Sequence, residues 1–585
     1  MLSTVISFGQ EYAAEDNTGL VKRGWLHLRG LLKPIVPAEP ESRTIFSMKI
    51  RSTIINGDVA DARNFQWLSY GWLPLAEYQN RLNAPATPIS PLICGACIHA
   101  GSNPVVVNPL QDVTYYGLHR NGVEAFLNLP YGQDTSGSHR FKPPRPYVAA
   151  NGTTIDATAY GPACPQQPGQ SSIFPVSLSN ITDISEDCLN LNVVRIHGVK
   201  KGDKLPVMVY IHGGSFWGGD NHDLTILPDA MVRESLANGL PIVHVAINYR
   251  LGVFGFAQSP SLKSERSENA GLRDQRLALE WVRDNIANFG GDPNKVTIFG
   301  QSSGGLSVGM HIMAYGGRQP APFQQAICES QALEPGITGN FTRDAMRAIF
   351  NYTGCNSTIQ HSGAANIECL RKLDMETLLN ASIQTYAGDI AHNIGDIWLP
   401  AVDGDFLPAA PSELLREHQF SNVTTMIGWC QDDVSFFTDA MIKTANDTTR
   451  FLSSYLPDMD LNNLEKLLSL YPTADFSQNE AGDLSSEFFR AARIFRDILM
   501  VCQPMWYGEA LADAGNPVYL YNWNQTILDP ILQAVTNHSG FGVIHTSEFA
   551  YIFGNLSHYE ISGIAFHPVK AYRDYLATTR FMILV

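Results

Sequence analysis

Basic residues are scarce in this chain: its 585 residues include 40 Lys and Arg against 56 Asp and Glu, a formal net charge of −16 at pH 7. Nowhere do Lys and Arg form a cluster, whereas a protein that binds nucleic acid through its phosphates needs such a cluster. The same scarcity disfavours attachment to anionic membranes. Nucleic acid is therefore not an expected partner.

Long apolar runs are missing too. A transmembrane helix needs roughly 18 or more consecutive apolar residues, and the longest candidate, Leu236 to Tyr249, is shorter. We interpret this run as a buried strand, so no transmembrane segment is expected. With 44% apolar and 16% charged residues, the chain can bury a large core.

Cysteine pairs arranged to bind zinc are also absent. Cys94 and Cys97 form a Cys-x-x-Cys motif, but no second pair of Cys or His stands opposite them. No metal site is therefore expected, and nothing implies an organic cofactor. Nine cysteines are an odd number, so at least one has no partner within the chain.

Two disulfides are expected, Cys164 with Cys188 and Cys355 with Cys369, because each closes a local loop rich in Pro, Ser or Asn. Each closure restricts the unfolded chain and contributes roughly 3 kcal/mol to stability. Three other cysteines lie in apolar sequence and are expected to be buried thiols: Cys328, Cys430 and Cys502.

Eleven Asn-x-Ser/Thr sequons occur, against about four expected by chance in a chain of this composition. They predict N-glycans and secretion. The acceptor residues are Asn151, Asn180, Asn340, Asn351, Asn356, Asn380, Asn422, Asn446, Asn524, Asn537 and Asn555.

The first hundred residues lack a clear helical or strand period. We expect residues 1–102 to be an irregular, poorly ordered N-terminal extension of doubtful nativeness. Residues 91–101 resemble the end of a signal-peptide core followed by a small-residue cleavage site. Maturation is therefore expected to begin near Gly101, and residues 103–585 are expected to form the main domain.

From residue 103 onward, short apolar runs alternate with amphipathic stretches. Such continuous runs suit strands buried on both faces of a parallel sheet. The clearest helical pattern covers Gln275 to Phe289, which Gly290 and Gly291 should end. The alternation predicts an α/β fold with a mostly parallel central sheet flanked by helices. The five predicted strands are Leu205–Ile211, Pro241–Ile247, Lys295–Phe299, Val423–Ile427 and Pro517–Tyr521.

One of these strands leads directly into a Gly-x-Ser-x-Gly turn. Residues 300–304 read Gly-Gln-Ser-Ser-Gly, and small residues follow as a helix would begin. This layout is that of a nucleophile elbow, which lifts a serine hydroxyl clear of the sheet. Ser302 is therefore the candidate nucleophile.

Acyl transfer by a serine also needs a base, an acid that orients the base, and donors for the oxyanion. In α/β-hydrolases these follow the chain order oxyanion loop, Ser, acid, His. The glycine-rich segment His212–Gly219 ends an earlier strand and could offer backbone N–H groups.

Four histidines follow the candidate acids: His538, His545, His558 and His567. His545 is the expected base, because it ends a short apolar run after two glycines, whereas His538 lies within a sequon and should be exposed. Asp432 and Asp433 both follow a predicted strand at loop distance. The residues alone do not separate these two carboxylates.

The chain resembles the type-B carboxylesterase/lipase family from about Pro104 to Tyr572. The motifs that carry the resemblance are Glu186–Asn192, His212–Phe216, Asn248–Phe256, Asn269–Arg276, Phe289–Pro293 and the Ser302 elbow. The resemblance implies an α/β-hydrolase fold and carboxylic ester hydrolysis without a metal or cofactor.

Carried over by position, the resemblance implies that Ser302 is the nucleophile, Asp433 rather than Asp432 the acid, and His545 the base. The implied oxyanion donors are the backbone N–H groups of Gly214, Ser215 and Ser303, and the implied supporting residues are Gly213, Ser330 and Glu548. The resemblance also implies the two disulfides above and the ion pairs Arg140 with Glu186 and Arg250 with Asp274.

Several positions depart from the family pattern. Gln301 and Ser303 replace the usual Glu and Ala beside the nucleophile, and Asp433 is shorter than the more common Glu. Ser215 replaces a third glycine, so its Cβ is expected to crowd the oxyanion pocket. The chain stops at Val585, before the final helix of the family, and the domain is therefore expected to be truncated.

The expected function is that of a secreted serine hydrolase that cleaves carboxylic esters through an acyl-enzyme. Two alternatives stay open: a catalytically inactive binding or adhesion protein on the same fold, and a gene product that cannot fold. Lipase, feruloyl esterase, sterol esterase and general carboxylesterase are all open as activities. The Cys164–Cys188 loop lacks Trp, which disfavours choline esters. Its apolar residues predict either a lid or acyl-chain wall, or a packed surface loop: Ile173, Phe174, Val176, Leu178 and Ile181.

Overall fold

The computed structural model describes residues 10–15, 21–26, 54–55, 58–59, 103–170, 177–331, 340–356, 363–393, 397–456 and 459–555. Several predictions fall outside these residues. They concern the cleavage region at 91–101, Cys94, Cys97, the loop residues Ile173, Phe174 and Val176, the histidines His558 and His567, and the end of the chain.

The chain divides into two compact units, one spanning Ser7–Ser102 and the other Asn103–Val585 together with Met1–Ile6. In the first unit, β1 (Gln10–Glu15) pairs antiparallel with β2 (Val21–Leu26), and β3 (Ile54–Ile55) pairs with β4 (Asp58–Val59). The second unit contains the predicted Ser, His and Asp residues.

The larger unit is built around a nine-stranded sheet. The strands of this unit, of which β5, β6, β9, β10 and β11 belong to two smaller sheets, are in chain order β5 (Val105–Asn108), β6 (Val113–Tyr116), β7 (Leu118–Arg120), β8 (Val123–Pro130), β9 (Thr153–Asp156), β10 (Gly169–Gln170), β11 (Asn180–Ile181), β12 (Asn190–Ile196), β13 (Leu205–Ile211), β14 (Val243–Ile247), β15 (Gly291–Gln301), β16 (Gln325–Glu329), β17 (Thr424–Cys430) and β18 (Val518–Trp523). The order across the sheet is β18-β17-β16-β15-β13-β14-β12-β8-β7.

Helices cover both faces of this sheet, as the alternation predicts. The α-helices are α1 (Asp229–Ala237), α2 (Gly252–Phe256), α3 (Pro260–Ser264), α4 (Ala270–Asn285), α5 (Ser303–Met313), α6 (Phe341–Thr353), α7 (Gly363–Lys372), α8 (Met375–Asn393), α9 (Pro411–Arg416), α10 (Ala445–Tyr455), α11 (Leu461–Ser469), α12 (Ser486–Arg496), α13 (Gln503–Asp513), α14 (Asp529–Thr536) and α15 (Phe549–Ile552). Between α12 and α13 lies a π-helix, Asp497–Cys502.

Six neighbouring strands pair in parallel, in the order β14-β13-β15-β16-β17-β18. The remaining strands β12, β8 and β7 form an antiparallel edge. Apolar runs explain the parallel part, since all five residues of β14 are buried. Each of the five predicted runs overlaps a strand of this part. The predicted fold class, a mostly parallel sheet flanked by helices, is therefore confirmed.

The structure differs from the sequence predictions in three local features. The run Leu236–Tyr249 is not one strand, because Gly239, at φ 74°, ends helix α1 and the strand begins only at Val243. Helix α4 ends at Asn285 and continues as a 3₁₀ turn to Phe289, and Gly291 already belongs to β15. Cys502 is exposed rather than buried, whereas Cys328 and Cys430 are buried.

Two disulfides and two buried ion pairs fasten the loops of the larger unit. Cys164 is joined to Cys188 and Cys355 to Cys369. Arg140 pairs with Glu186 and also donates to the Leu370 carbonyl at 2.7 Å. These contacts tie loops on the edge of the sheet to helix α7.

The ion pair of Arg250 and Asp274 is almost fully buried. Arg250 Nε lies 2.7 Å from Asp274 Oδ2, and Arg250 Nη2 lies 2.6 Å from Asp274 Oδ1. The pair joins the loop after β14 to helix α4. Because both charges have left water, neither is tolerated there without the other.

Among the helices of the described residues, none has both the length and the apolar content needed to cross a bilayer.

We expect Asp274→Ala to lower the free energy of unfolding by about 3–5 kcal/mol, because it leaves the Arg250 guanidinium buried and unpaired. Asp284→Ala on the same helix is the matched control. Its ion pair with Arg283 is exposed, so the loss should stay below about 1 kcal/mol. Denaturant unfolding of both variants measures the difference; equal losses would contradict the assignment of Arg250 and Asp274 as a buried ion pair.

Candidate active site

Ser302 occupies the sharp turn between strand β15 and helix α5. Its backbone has φ 62° and ψ −127°, a region that side chains other than glycine rarely adopt. The Ser302 N–H donates to the Glu329 carbonyl at 2.9 Å, which fixes the turn to the neighbouring strand β16. A Cβ on Gly304 would lie 2.1 Å from the Ile211 carbonyl oxygen, so only glycine allows this close approach.

The glycine-rich loop begins where strand β13 ends, beside the turn that carries Ser302. A side chain at Gly213 would collide with the Gln301 carbonyl, its Cβ being 2.5 Å from that oxygen. Gly214 and Ser215 have positive φ values of 107° and 54°. The predicted crowding by the Ser215 Cβ stays a prediction.

Within the described ranges, three backbone N–H groups at this point have no acceptor. Those of Gly214, Ser215 and Ser303 donate to no atom of the residues that the structure describes, and all three residues line one cavity with Ser302. Such N–H groups can bind an oxyanion. The Ser303 hydroxyl supports the loop, because it accepts the Phe216 N–H at 3.3 Å.

His545 and Asp433 form a close buried pair. His545 Nδ1 lies 2.5 Å from Asp433 Oδ1, and the His545 N–H donates to the Asp433 carbonyl at 3.0 Å. The other carboxylate oxygen of Asp433 accepts from Ser330 Oγ at 2.7 Å and from the Cys430 N–H at 2.9 Å. The imidazole is therefore held in one orientation with Nε2 toward the cavity.

The neighbouring Asp432 points elsewhere. Its Oδ2 accepts the Val543 N–H at 3.0 Å, and its own N–H donates to the Val543 carbonyl at 3.0 Å. Asp432 therefore holds the loop before His545, while Asp433 contacts the imidazole. The structure thus separates two carboxylates that the residues alone leave equivalent.

Gln301 contacts the free nitrogen of the imidazole, a contact that the sequence analysis missed. Gln301 Nε2 lies 3.1 Å from His545 Nε2. Since Nδ1 donates to Asp433, Nε2 carries the lone pair and accepts from the amide. Ser302 Oγ forms no hydrogen bond with any residue that the structure describes, although Ser302 and His545 line the same cavity.

Two further carboxyl groups are buried behind this pair. Burial, with a smaller contribution from the Asp433 charge, raises the pKa of Glu548 to about 7, and Cys430 Sγ donates to Glu548 Oε2 at 2.8 Å. Burial, together with the nearby Glu548, raises the pKa of Glu329 well above its ordinary value. Glu329 is not among the residues predicted from the sequence, although a charge at the end of an apolar strand is a usable signal.

The cavity has a volume of about 170 Å³ and mostly apolar walls. Trp217 stacks on Tyr386 with ring centroids 4.4 Å apart. Leu499 and Met500 reach the cavity from the π-helix, which the sequence does not predict. The principal apolar lining residues are Trp217, Leu306, Phe437, Leu499, Met500 and Phe549. Among the described residues, the group of side chains that could surround a metal ion lies outside this lining, at His119, Glu124 and His197.

The parallel strands, the strained serine between strand and helix, and the Asp433–His545 pair near the ends of the strands together define an α/β-hydrolase.

Comparison with known proteins identifies the family. The carboxylesterase family profile matches residues 113–565, and the chain belongs to this family. It is 53% identical over 472 residues to a secreted lipase of Arthroderma benhamiae, covering 81% of each chain. An inactive carboxylesterase-like protein of Byssochlamys spectabilis is 34% identical over 475 residues, covering 78% of this chain and 79% of that one. The solved structure of EstA from Aspergillus niger has a TM-score of 0.65 and 28% identity, with 81% of this chain and 86% of EstA covered.

The predicted resemblance and the predicted class of activity are thereby confirmed. The chain is a carboxylic ester hydrolase of the α/β-hydrolase fold.

We expect Glu548→Gln to change how stability depends on pH. The folded protein keeps a proton on Glu548 that the unfolded chain releases near the ordinary pKa of 4.5, because burial raises the folded pKa to about 7. The contribution of Glu548 to the free energy of unfolding is therefore fully present below pH 4.5 and is lost as the pH rises through about 7. The variant keeps an acceptor for Cys430 Sγ. When the pH is raised from 5 to 8, its free energy of unfolding should increase by about 2–3 kcal/mol relative to that of wild type. Denaturant unfolding at both pH values measures this; a difference that does not depend on pH would contradict it.

Proposed function

We propose that Ser302 is the nucleophile of this ester hydrolase, His545 its general base and Asp433 the acid that orients the imidazole. The observation that carries the proposal is the 2.5 Å contact of Asp433 with His545 in the cavity that also holds Ser302. The contact keeps the proton on Nδ1 and leaves the lone pair on Nε2.

In the proposed mechanism, His545 Nε2 takes the proton of Ser302 Oγ as that oxygen attacks the ester carbonyl. The tetrahedral oxyanion accepts hydrogen bonds from the N–H groups of Gly214, Ser215 and Ser303. His545 then protonates the leaving alcohol, and water hydrolyses the acyl-enzyme by the same steps. Because the Gln301 amide donates to Nε2, the Ser302 hydroxyl must replace Gln301 there before attack.

The alternative function is a catalytically inactive binding protein on the same fold. The relative named an inactive carboxylesterase-like protein, 34% identical to this chain, shows that the alternative needs a test. The hydrogen bond between Gln301 and His545 Nε2 is also consistent with a resting or inactive arrangement of the site. Against this alternative, the serine, histidine and aspartate of the proposed triad are all present.

We further propose that the substrate is an ester with a long apolar acyl chain, as lipases use. The support comes from the apolar walls of the cavity and from relatives named lipases. In the loop between Cys164 and Cys188, Ile181 also lines this cavity. This position favours a role for the Cys164–Cys188 loop as part of the acyl-chain wall.

An extracellular location is supported by the two disulfides and by relatives named as secreted. We propose that the secreted protein carries N-glycans at exposed sequons. Nine of the eleven acceptors are exposed, and Asn524 is partly exposed. Asn555 is buried, and its Nδ2 donates to the carbonyls of Leu224, Thr225 and Leu227. We therefore omit Asn555 from the proposed glycan sites.

We expect Ser302→Ala to abolish both ester hydrolysis and covalent labelling by an organophosphate, because the acylated oxygen is gone. Secretion and the unfolding midpoint should remain those of wild type. Mass spectrometry of the labelled protein identifies the modified residue. Labelling that survives in the variant would refute Ser302 as nucleophile, and wild-type protein that is neither labelled nor active would support the inactive alternative.

Asp433→Asn and Asp432→Asn form a matched pair of controls in the same assay. Loss of the Asp433 carboxylate should lower kcat by roughly 10⁴ by changing the tautomer of the base. Asp432→Asn keeps an acceptor for the Val543 N–H, so its kcat should fall by less than about tenfold. Similar losses in both variants would show that the imidazole is not oriented by Asp433 in particular.

We expect kcat/KM on p-nitrophenyl esters to rise with acyl length until the cavity is filled. Each buried methylene contributes about 0.8 kcal/mol, or roughly fourfold. Leu499→Trp should reduce activity on long chains while leaving the acetate ester largely unaffected, because it fills the cavity. Ile498→Trp, on the same π-helix but outside the cavity lining, is the control. A preference for acetate in wild type would contradict a lipase-like substrate.

A further inference from the structure

The antiparallel edge of the large sheet brings together residues from three strands. His119 of β7 is paired with Glu124 of β8, and Glu124 is in turn paired with Arg195 of β12. Paired residues project from the same face of a sheet. His197 follows Arg195 by two positions and therefore lies on that face as well, just beyond the end of β12.

The side chains of His119, Glu124 and His197 converge on that face. His197 Nδ1 lies 3.1 Å from Glu124 Oε1, and the two imidazole rings are 5.0 Å apart between centroids. One nitrogen of each histidine and one carboxylate oxygen all lie within 4.8 Å of one another. Glu124 is buried, whereas both histidines are exposed, so the group opens to solvent on one side only.

We propose that His119, Glu124 and His197 form a binding site for Zn²⁺. Two imidazole nitrogens and one carboxylate oxygen are a ligand set that zinc prefers, with water completing a tetrahedron. Bonds of about 2.0–2.2 Å place tetrahedral ligand atoms about 3.4 Å apart, close to the separation already present between His197 and Glu124. The exposed histidines need only small side-chain rotations to close the remaining distances.

The carboxylate is oriented for this role by contacts on its other side. Arg195 Nε donates to Glu124 Oε2 at 2.8 Å, and the Gly198 N–H donates to Oε1 at 3.1 Å. Arg195 itself donates to the Phe289 carbonyl at 2.9 Å. The second lone pair of Oε1 therefore faces the histidines. Such fixed orientation of a ligand by its neighbours is typical of protein metal sites.

Bound Zn²⁺ would join the edge strand β7 to β8 and to the turn after β12. It would stabilise the folded state only, because the unfolded chain does not hold the three ligands together. None of the three residues lines the cavity that contains Ser302. The ion would therefore act on stability rather than on ester hydrolysis, and the proposal does not depend on the proposed catalytic triad.

Calorimetric titration of the chelator-treated, full-length protein with Zn²⁺ tests the proposal. We expect one equivalent to bind at this site and the unfolding midpoint to rise with the logarithm of the free Zn²⁺ concentration. Ca²⁺ should not substitute, because it prefers oxygen ligands. His119→Asn and His197→Asn should each weaken this equivalent by at least about tenfold, and the double variant should lose it.

His538→Asn is the matched control, since His538 pairs with Asp483 at 2.7 Å but has no second histidine in a comparable group among the described residues. This variant should bind Zn²⁺ as wild type does. All four histidine variants should keep wild-type rates on a p-nitrophenyl ester. A full equivalent retained by the double variant, or no binding by wild type, would overturn the proposal.

Discussion

The site depends on the hydrogen bonds that the buried carboxylate of Asp433 accepts. An isolated charge in an apolar interior is very costly, and it persists only where hydrogen bonds replace water. Asp433 receives three: from the imidazole of His545, the hydroxyl of Ser330 and the N–H of Cys430. These donors come from separate strands and loops, so the carboxylate also fixes how β16, β17 and the histidine loop meet.

The same region contains two more carboxyl groups, and they behave differently. Within the part of the chain that the structure describes, Glu329 and Glu548 have no arginine partner such as Arg250 provides for Asp274, and burial raises the pKa of both. The raised pKa values favour the uncharged form of both groups, whereas Asp433 keeps its hydrogen bonds to donors. In the proposed mechanism, Asp433 is thus the carboxylate that stabilises the imidazolium formed during proton transfer.

Much of this arrangement could be predicted from the sequence, because its signals are local. Apolar runs mark the parallel strands, and the glycines around Ser302 mark a turn in which backbones approach closely.

The rest of the arrangement depends on contacts between distant segments. Nothing in two adjacent aspartates tells which one meets His545, since that follows from the path of the chain after β17. Gln301 reaches the imidazole only because the elbow and the histidine loop share one cavity, and the π-helix at Asp497–Cys502 has no local signal. The group of His119, Glu124 and His197 arises only from strand register, so no pattern along the sequence marks it.

The burial of Asn555 has a consequence for how the protein is made. Oligosaccharide is transferred to an extended, accessible asparagine, whereas this side chain ends beneath the loop that precedes helix α1, with its amide bonded to three carbonyls. A sugar at that nitrogen would leave the three carbonyls without their donor. It would also prevent the loop before helix α1 from packing over Asn555. Burial of this asparagine and attachment of a sugar to it therefore exclude one another, and a molecule with these three hydrogen bonds carries no glycan at Asn555.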